Sequence, residues 1–196
     1  MTGRARAVGR AFFDRPPDVV AEDLIGCEVS IGGAGGVVVE AEAYGQDDPA
    51  SHSHRGPTPR CQAMFGPPAT IYVYLIHGIH WCLNLVCEEE GRGAAVLIRA
   101  IEPTHGLDAM RARRGVDDDR ILCAGPGRLT QALGITGALD GLGTRAAGLH
   151  VGRRRDAVEV ARVPRIGISA ATDLPWRMVA RGSRFVSRPI PRSLTP

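Results

Sequence analysis

The 196 residues carry 24 basic side chains, every one an arginine, which excludes a lysine Schiff base, a phosphate-loop lysine and a Ser–Lys catalytic pair. With 44% hydrophobic residues the chain supports one packed domain, and no apolar run nears the roughly 20 residues of a membrane helix. The net charge of +3 is uneven: residues 1–98 hold 7 arginines against 12 acids and residues 99–196 hold 17 against 9, which points to an anionic partner such as nucleic acid, or to a solvated basic surface.

Met1–Phe13 contains three arginines but no apolar stretch behind them, so the sequence predicts no secretory signal, a cytoplasmic protein, and a flexible segment over about residues 1–11. Pro16-Pro17-Asp18 opens a predicted helix through Val19, Val20, Leu24 and Ile25 that Gly26 ends. Cys27–Ile31 and Val37–Tyr44 read as strands joined by the run Gly32-Gly33-Ala34-Gly35-Gly36. Residues 45–69 lack periodicity and are rich in Pro, Gly, Ser, His and Asp, which marks either a functional loop or a linker. Thr70–Ile76 and Ile79–Val86 flank His77-Gly78 and predict a hairpin with a two-residue loop. Ala94–Ile101 is a further strand. One helix follows through Leu107, Met110 and Ala112 to Gly115, and another runs from Gly125-Pro126-Gly127 through Leu129, Ala132 and Leu133 to Gly134. Val158–Val163 and Phe185–Val186 are the last strand candidates. No repeat or linker divides residues 1–196, so the expected fold is α/β in the α+β sense, a single mixed domain with mostly antiparallel pairing. Five cysteines (27, 61, 82, 87 and 123) without CxxC spacing read as buried, reduced thiols.

Three groups of residues stand out chemically. On the strand Val37–Tyr44, the period of two places Val38, Glu40, Glu42 and Tyr44 on one face. Two neighbouring carboxylates there are either solvent-facing or, if buried, a mutually repelling pair suited to acid–base work. The three tyrosines of the chain, Tyr44, Tyr72 and Tyr74, offer either sheet packing or a stacking pocket for a planar ligand. His52, His54, His77 and His80, with Asp47, Asp48, Cys61 or Cys82, could be gathered around a metal, but no established ligand spacing is present, and no metal or cofactor is expected.

Taken together, Val39-Glu40-Ala41-Glu42-Ala43-Tyr44, Asp48-Pro49-Ala50-Ser51-His52, Thr58-Pro59-Arg60 with Met64-Phe65, Tyr72-Val73-Tyr74, Gly78, Asn84, Leu97-Ile98-Arg99-Ala100, and Gly125-Pro126 with Leu129 and Gln131-Ala132-Leu133 resemble the alkyladenine (3-methyladenine, methylpurine) DNA glycosylases of the mammalian type. The resemblance runs from about Phe12 to Val186. It implies a curved sheet with flanking helices and a protruding β-hairpin that enters the minor groove while a damaged purine is flipped into an aromatic pocket. By the same resemblance Glu42 activates water, with Glu40 its strand neighbour, and Arg99 helps to place that water. Tyr44, His52 and Tyr74 contact the flipped base, Asn84 crowds the amino group of guanine, and the backbone at Ile166 offers a carbonyl to the water. His77 stands where the family places a tyrosine wedge, a departure that implies weaker holding of the flipped state. Thr58, Arg60, Met64 and the arginine-rich C-terminal third are the expected phosphate contacts.

The implied partner is double-stranded DNA containing damaged purines, met by a monomer without a membrane. The implied reaction is release of 3-methyladenine, 7-methylguanine, or the neutral bases hypoxanthine and ethenoadenine. A catalytically silent nucleic-acid-binding module of the same fold and a histidine-based metal hydrolase are the competing readings. Without lysine, no imine-forming backbone cleavage is expected.

Overall fold

The computed structural model describes residues 5–190. Eight strands form one curled antiparallel sheet. They are β1 (Glu28–Ile31), β2 (Ala34–Tyr44), β3 (Ile71–Ile76), β4 (His80–Val86), β5 (Ala95–His105), β6 (His150–Gly152), β7 (Val160–Val163) and β8 (Arg177–Ala180). The path runs β3-β4-β5-β2-β1-β6, and β8 joins β2 to β7. Four short helices flank the sheet: α1 (Pro17–Leu24), α2 (Leu107–Arg114), α3 (Asp119–Leu122) and α4 (Pro126–Leu133). Pro17 occupies the first turn of α1, where its missing N–H costs nothing. α2 and α4 end on Gly115 and Gly134, both in the left-handed conformation.

β2 is the organising strand. β5 runs along one edge of it, while the other edge pairs first with β1 (residues 34–37) and then with β8 (residues 40–42). Register shifts near Val38–Ala41 mark bulges where the partner changes, and bulges re-aim the side chains that follow them. The core is aliphatic, with Leu24, Ile25, Ile71, Leu83, Leu85, Ile98, Ile101 and Leu129 fully buried.

Several expectations need correction. The turn between β1 and β2 is only Gly32-Gly33, both at positive φ, and Gly35 and Gly36 belong to β2. A Cβ on Gly36 would lie 2.0 Å from the Glu102 carbonyl oxygen, so glycine serves strand contact there and not the turn. The β3–β4 loop has three residues, because Ile76 pairs with His80. β5 continues through Pro103 to His105, since the proline falls beside a register shift. Phe185–Val186 is not a strand, whereas β6, β8 and α3 were not anticipated. Ala7 bridges Gly152, and Val8 N–H donates to Val151 O. Residues 5–8 thus lie along β6, while residues 1–4 of the segment expected to be flexible fall outside the described residues. All five cysteines are buried and unpaired. Among the described residues, no helix is long and apolar enough to cross a membrane.

Candidate active site

The β2 carboxylates do not face solvent. Glu40 and Glu42 are both 0% exposed, and two arginines compensate the repulsion that burial would otherwise create. Arg99, on β5, donates from Nε to Glu40 (3.1 Å) and from Nη1 to Glu42 (3.2 Å). Arg177, at the start of β8, donates to Glu40 at 2.7 Å. Glu40 also accepts from the Ser187 amide and hydroxyl, at 2.5 and 2.7 Å, so its oxygens are committed to structure. Burial alone would lower the Arg99 pKa, but the charges of Glu42 and Glu40 hold it above its ordinary value.

Glu42 keeps different company. Its Oε2 accepts from the Tyr44 hydroxyl at 2.8 Å as well as from Arg99, and its Oε1 accepts from the Ile166 amide at 2.8 Å. A carboxylate has about four acceptor directions, so three partners leave room for one more donor, on the Oε1 side. The Ile166 backbone thus binds the carboxylate directly through its N–H. Tyr44, Arg99 and Ile166 all line a cavity of about 460 Å³, behind which Glu42 sits.

Aromatic groups form one side of that cavity. Tyr72 and Tyr74 lie with ring centroids 5.4 Å apart, and His52 meets Tyr74 edge-on at 4.6 Å. His52 Nδ1 is 2.8 Å from the Tyr72 hydroxyl. Partial burial, aided by the Arg60 charge, pushes the His52 pKa down. Burial likewise raises the pKa of all three tyrosines, and the Glu42 charge and hydrogen bond reinforce the effect at Tyr44, so these rings stay neutral. Asn84 is buried in the same wall and donates its amide to the carbonyls of Tyr72 and Cys82, at 3.0 and 3.3 Å. That fixes its side chain as a rigid bump rather than a mobile arm.

Other predicted residues spread around the rim. Arg60 is exposed, with its guanidinium 5.7 Å from the Tyr74 ring centroid. Thr58 is exposed beside Cys61. Met64, expected as a backbone contact, is 2% exposed, packs with Cys61, Tyr72, Val86 and Ala95, and lines the cavity. His77 sits at the hairpin tip with φ of 51° and reaches the cavity lining. Its neighbour Ile79, 71% exposed, is the barest large apolar side chain among the described residues. The histidines do not converge, and among the described residues no three His, Cys, Asp or Glu side chains gather as a metal site.

Two buried arginines escaped the sequence reading. Arg177 braces Glu40, as above. Arg165 forms an ion pair with Asp48 in which both side chains are 0% exposed. With Arg99 they withdraw three cations from the basic second half, and Arg162 and Arg181 bind Glu22 and Glu159. The surplus of arginine in that half is therefore not one phosphate-facing surface.

Comparison with known proteins places this arrangement. Residues 11–184 match the model of the methylpurine-DNA glycosylase family. The chain is 58% identical over 183 residues to a putative 3-methyladenine DNA glycosylase of Rhodopseudomonas palustris, covering 93% of this chain and 89% of the relative. A protein of the same description from Nitrobacter winogradskyi is 56% identical over 180 residues, covering 92% and 86%, and one from Agrobacterium fabrum is 50% identical over 181 residues, covering 92% of each. With a family match spanning most of its length and relatives above half identity, the chain belongs to the methylpurine-DNA glycosylases and is a DNA-repair enzyme of that family.

Proposed function

We propose that this glycosylase flips alkylated or deaminated purines out of duplex DNA and hydrolyses the N-glycosidic bond with water activated by Glu42, leaving an intact abasic site. The observation that carries the reading is the set of three donors on Glu42, each of which also lines the aromatic cavity. They orient the carboxylate and leave acceptor capacity to spare for one water. Glu42 takes the proton of that water as its oxygen bonds to C1′. The electrons of the broken C–N bond pass to the base, so a cationic 3-methyladenine or 7-methylguanine leaves neutral. Negative charge beside C1′ stabilises the oxocarbenium-like transition state.

Selection follows from the walls. Neutral His52 and the faces of Tyr44, Tyr72 and Tyr74 favour a cationic ring, by roughly 0.5–2 kcal/mol per good contact. Asn84, held rigid, crowds the amino group of guanine. At the hairpin tip His77 supplies a smaller wedge than tyrosine would, while exposed Ile79 adds an apolar surface of the kind that parts base steps. We therefore place neutral lesions such as hypoxanthine and ethenoadenine below the cationic ones as substrates. Arg60 and Thr58 hold the backbone beside the rim. The enzyme works as a monomer in the cytoplasm, and carboxylate-activated hydrolysis calls for no cofactor.

The test is release of 7-methylguanine from an alkylated duplex under single-turnover conditions. Glu42→Gln removes the proton acceptor and lowers the rate by about 10²–10⁴-fold. An unchanged rate in that variant overturns the mechanism, and loss of activity with a chelator favours the metal hydrolase. With no lysine to form an imine, borohydride should trap no protein–DNA adduct during the reaction, and an adduct through any group other than the N-terminal amine overturns the assignment of base release alone.

A further inference from the structure

Three elements meet behind the cavity: strand β2, the turn at residues 48–52 and the loop at residues 165–171. A single buried ion pair ties them together. Arg165 donates from Nη1 and Nη2 to the two carboxylate oxygens of Asp48, from Nη1 to the carbonyl of Ala43 on β2 (2.9 Å), and from Nη2 to the carbonyl of Ala171 (3.4 Å). Its guanidinium carbon stands 4.8 Å from the ring centroid of Tyr44 and 5.4 Å from that of Trp176. Asp48 in turn accepts from the Ala50 amide at 3.0 Å, which shapes the turn leading to His52. The Nε of Arg165 is buried with no hydrogen-bond partner.

A fully buried ion pair is weak evidence for stability, because desolvating both charges offsets much of their attraction. A hydrophobic pair could have filled the same space. What such a pair could not do is hold two backbone carbonyls and two aromatic faces in fixed directions, which the planar fork of arginine does. The residue after Arg165 is Ile166, whose amide binds Glu42, and the ring under Arg165 is Tyr44, whose hydroxyl binds the same carboxylate. Two of the three donors on Glu42 are therefore located by Arg165.

We propose that Arg165, locked by Asp48, is a positioning residue that sets Glu42 and the adjacent pocket walls for base excision. It touches neither water nor base, and it acts through Tyr44 and Ile166. The inference rests on the reading of Glu42 as the group that activates water.

The experiment measures single-turnover release of 7-methylguanine from a methylated duplex, affinity for a duplex carrying an abasic site, and thermal melting. It compares wild type with Arg165→Lys, Arg165→Gln and Asp48→Asn, with rates normalised to active enzyme. Lysine keeps the charge opposite Asp48 but cannot span Ala43, Asp48 and Ala171 together. Arg165→Lys should stay folded and bind the abasic duplex within about threefold of wild type, yet release base on the order of 100-fold more slowly, the penalty expected for a misplaced catalytic group. Asp48→Asn should fall in between. A lysine variant as fast as wild type overturns the proposal, and so does a rate loss matched by an equal loss of duplex affinity. Should Arg165→Gln fail to fold, the lysine and asparagine variants still decide. If wild type itself releases no base, or Glu42→Gln releases it equally well, the reading of Glu42 fails instead, and the two failures are thereby distinguished.

Discussion

Glu40 provides the sharpest test of how the site is built. Replacing it by glutamine keeps the side-chain shape but removes the charge that Arg99 and Arg177 share. At the observed separations of 3.1 and 2.7 Å, and with an effective dielectric of about 20, each pair is worth roughly 5–6 kcal/mol of gross attraction. Most of that offsets the desolvation of the ions, but once the carboxylate charge is gone Arg177 remains buried without an acidic partner, while Arg99 keeps Glu42. Breaking one partner of a buried ion pair costs about 3–5 kcal/mol, and glutamine, whose Oε1 still accepts one hydrogen bond, places the loss near the lower end. For a chain of this length that is a fall in melting temperature of roughly 6–12 °C, at 2–4 °C per kcal/mol.

On the proposed role of Glu42, the same substitution has a catalytic consequence as well. Arg99 is held in direction by Glu40 as well as by Glu42, so without the Glu40 charge it is free to shift and to carry Glu42 away from its place beside the cavity. Base release should slow even in the folded fraction. Circular dichroism melting with urea titration gives the first quantity, and single-turnover release at saturating enzyme gives the second. A loss of stability below about 1 kcal/mol would refute the idea that Glu40 is the counter-charge of the cluster. A faster rate would refute the shared-arginine account of Glu42.

Two further outcomes follow from the cavity walls. His52 lies exposed at the rim of the cavity, and partial desolvation together with Arg60 lowers its pKa, so the folded state prefers the neutral ring by a margin that solvent screening keeps small. Its contribution to stability is present above the ordinary histidine value of 6.5 and is lost as the pH falls through the lower folded value. Urea titrations of wild type and His52→Asn at pH 8 and at pH 5 should therefore diverge more at pH 8 than at pH 5, and the opposite trend would exclude a neutral His52. At the hairpin tip, His77→Tyr should raise the occupancy of the flipped state and speed release of a neutral lesion more than of a cationic one. A fluorescent base analogue opposite the tip reports the occupancy, and no gain with tyrosine would show that wedge size is not limiting.

How much of this was legible in the sequence depended on residue type. Alternation along β2 correctly grouped Glu40 with Glu42, since both reach Arg99, but it could not say that the face is buried. Solvent exposure was the cheaper guess for two carboxylates, and only the arrival of Arg99 and Arg177 from other strands reverses it. The hairpin of β3 and β4 showed itself through apolar runs around His77-Gly78. Its loop length did not, because Ile79 reads as strand and yet stands bare at the tip. β8 is four residues long and opens on an arginine, so neither length nor pattern marks it.

Arginine is the residue for which sequence reasoning failed most instructively. It is rarely buried without a partner, and a partner 117 residues away, as Asp48 is from Arg165, leaves no local trace. The surplus of 17 arginines in the second half therefore looked like a surface for phosphate, while the structure commits Arg99, Arg165 and Arg177 to holding carboxylates and backbone in place. The arginines left free to meet an anion are a smaller set, and exposed Arg60 stands beside the cavity. Each phosphate contact steepens the dependence of log affinity on log salt by about 0.9. The salt slope of binding thus counts the arginines that meet DNA, and it should fall well short of the 17 that charge alone would suggest. Part of the charge asymmetry in this chain thus belongs to an internal ionic scaffold, in which Arg99, Arg165 and Arg177 hold Glu40, Glu42 and Asp48 in place.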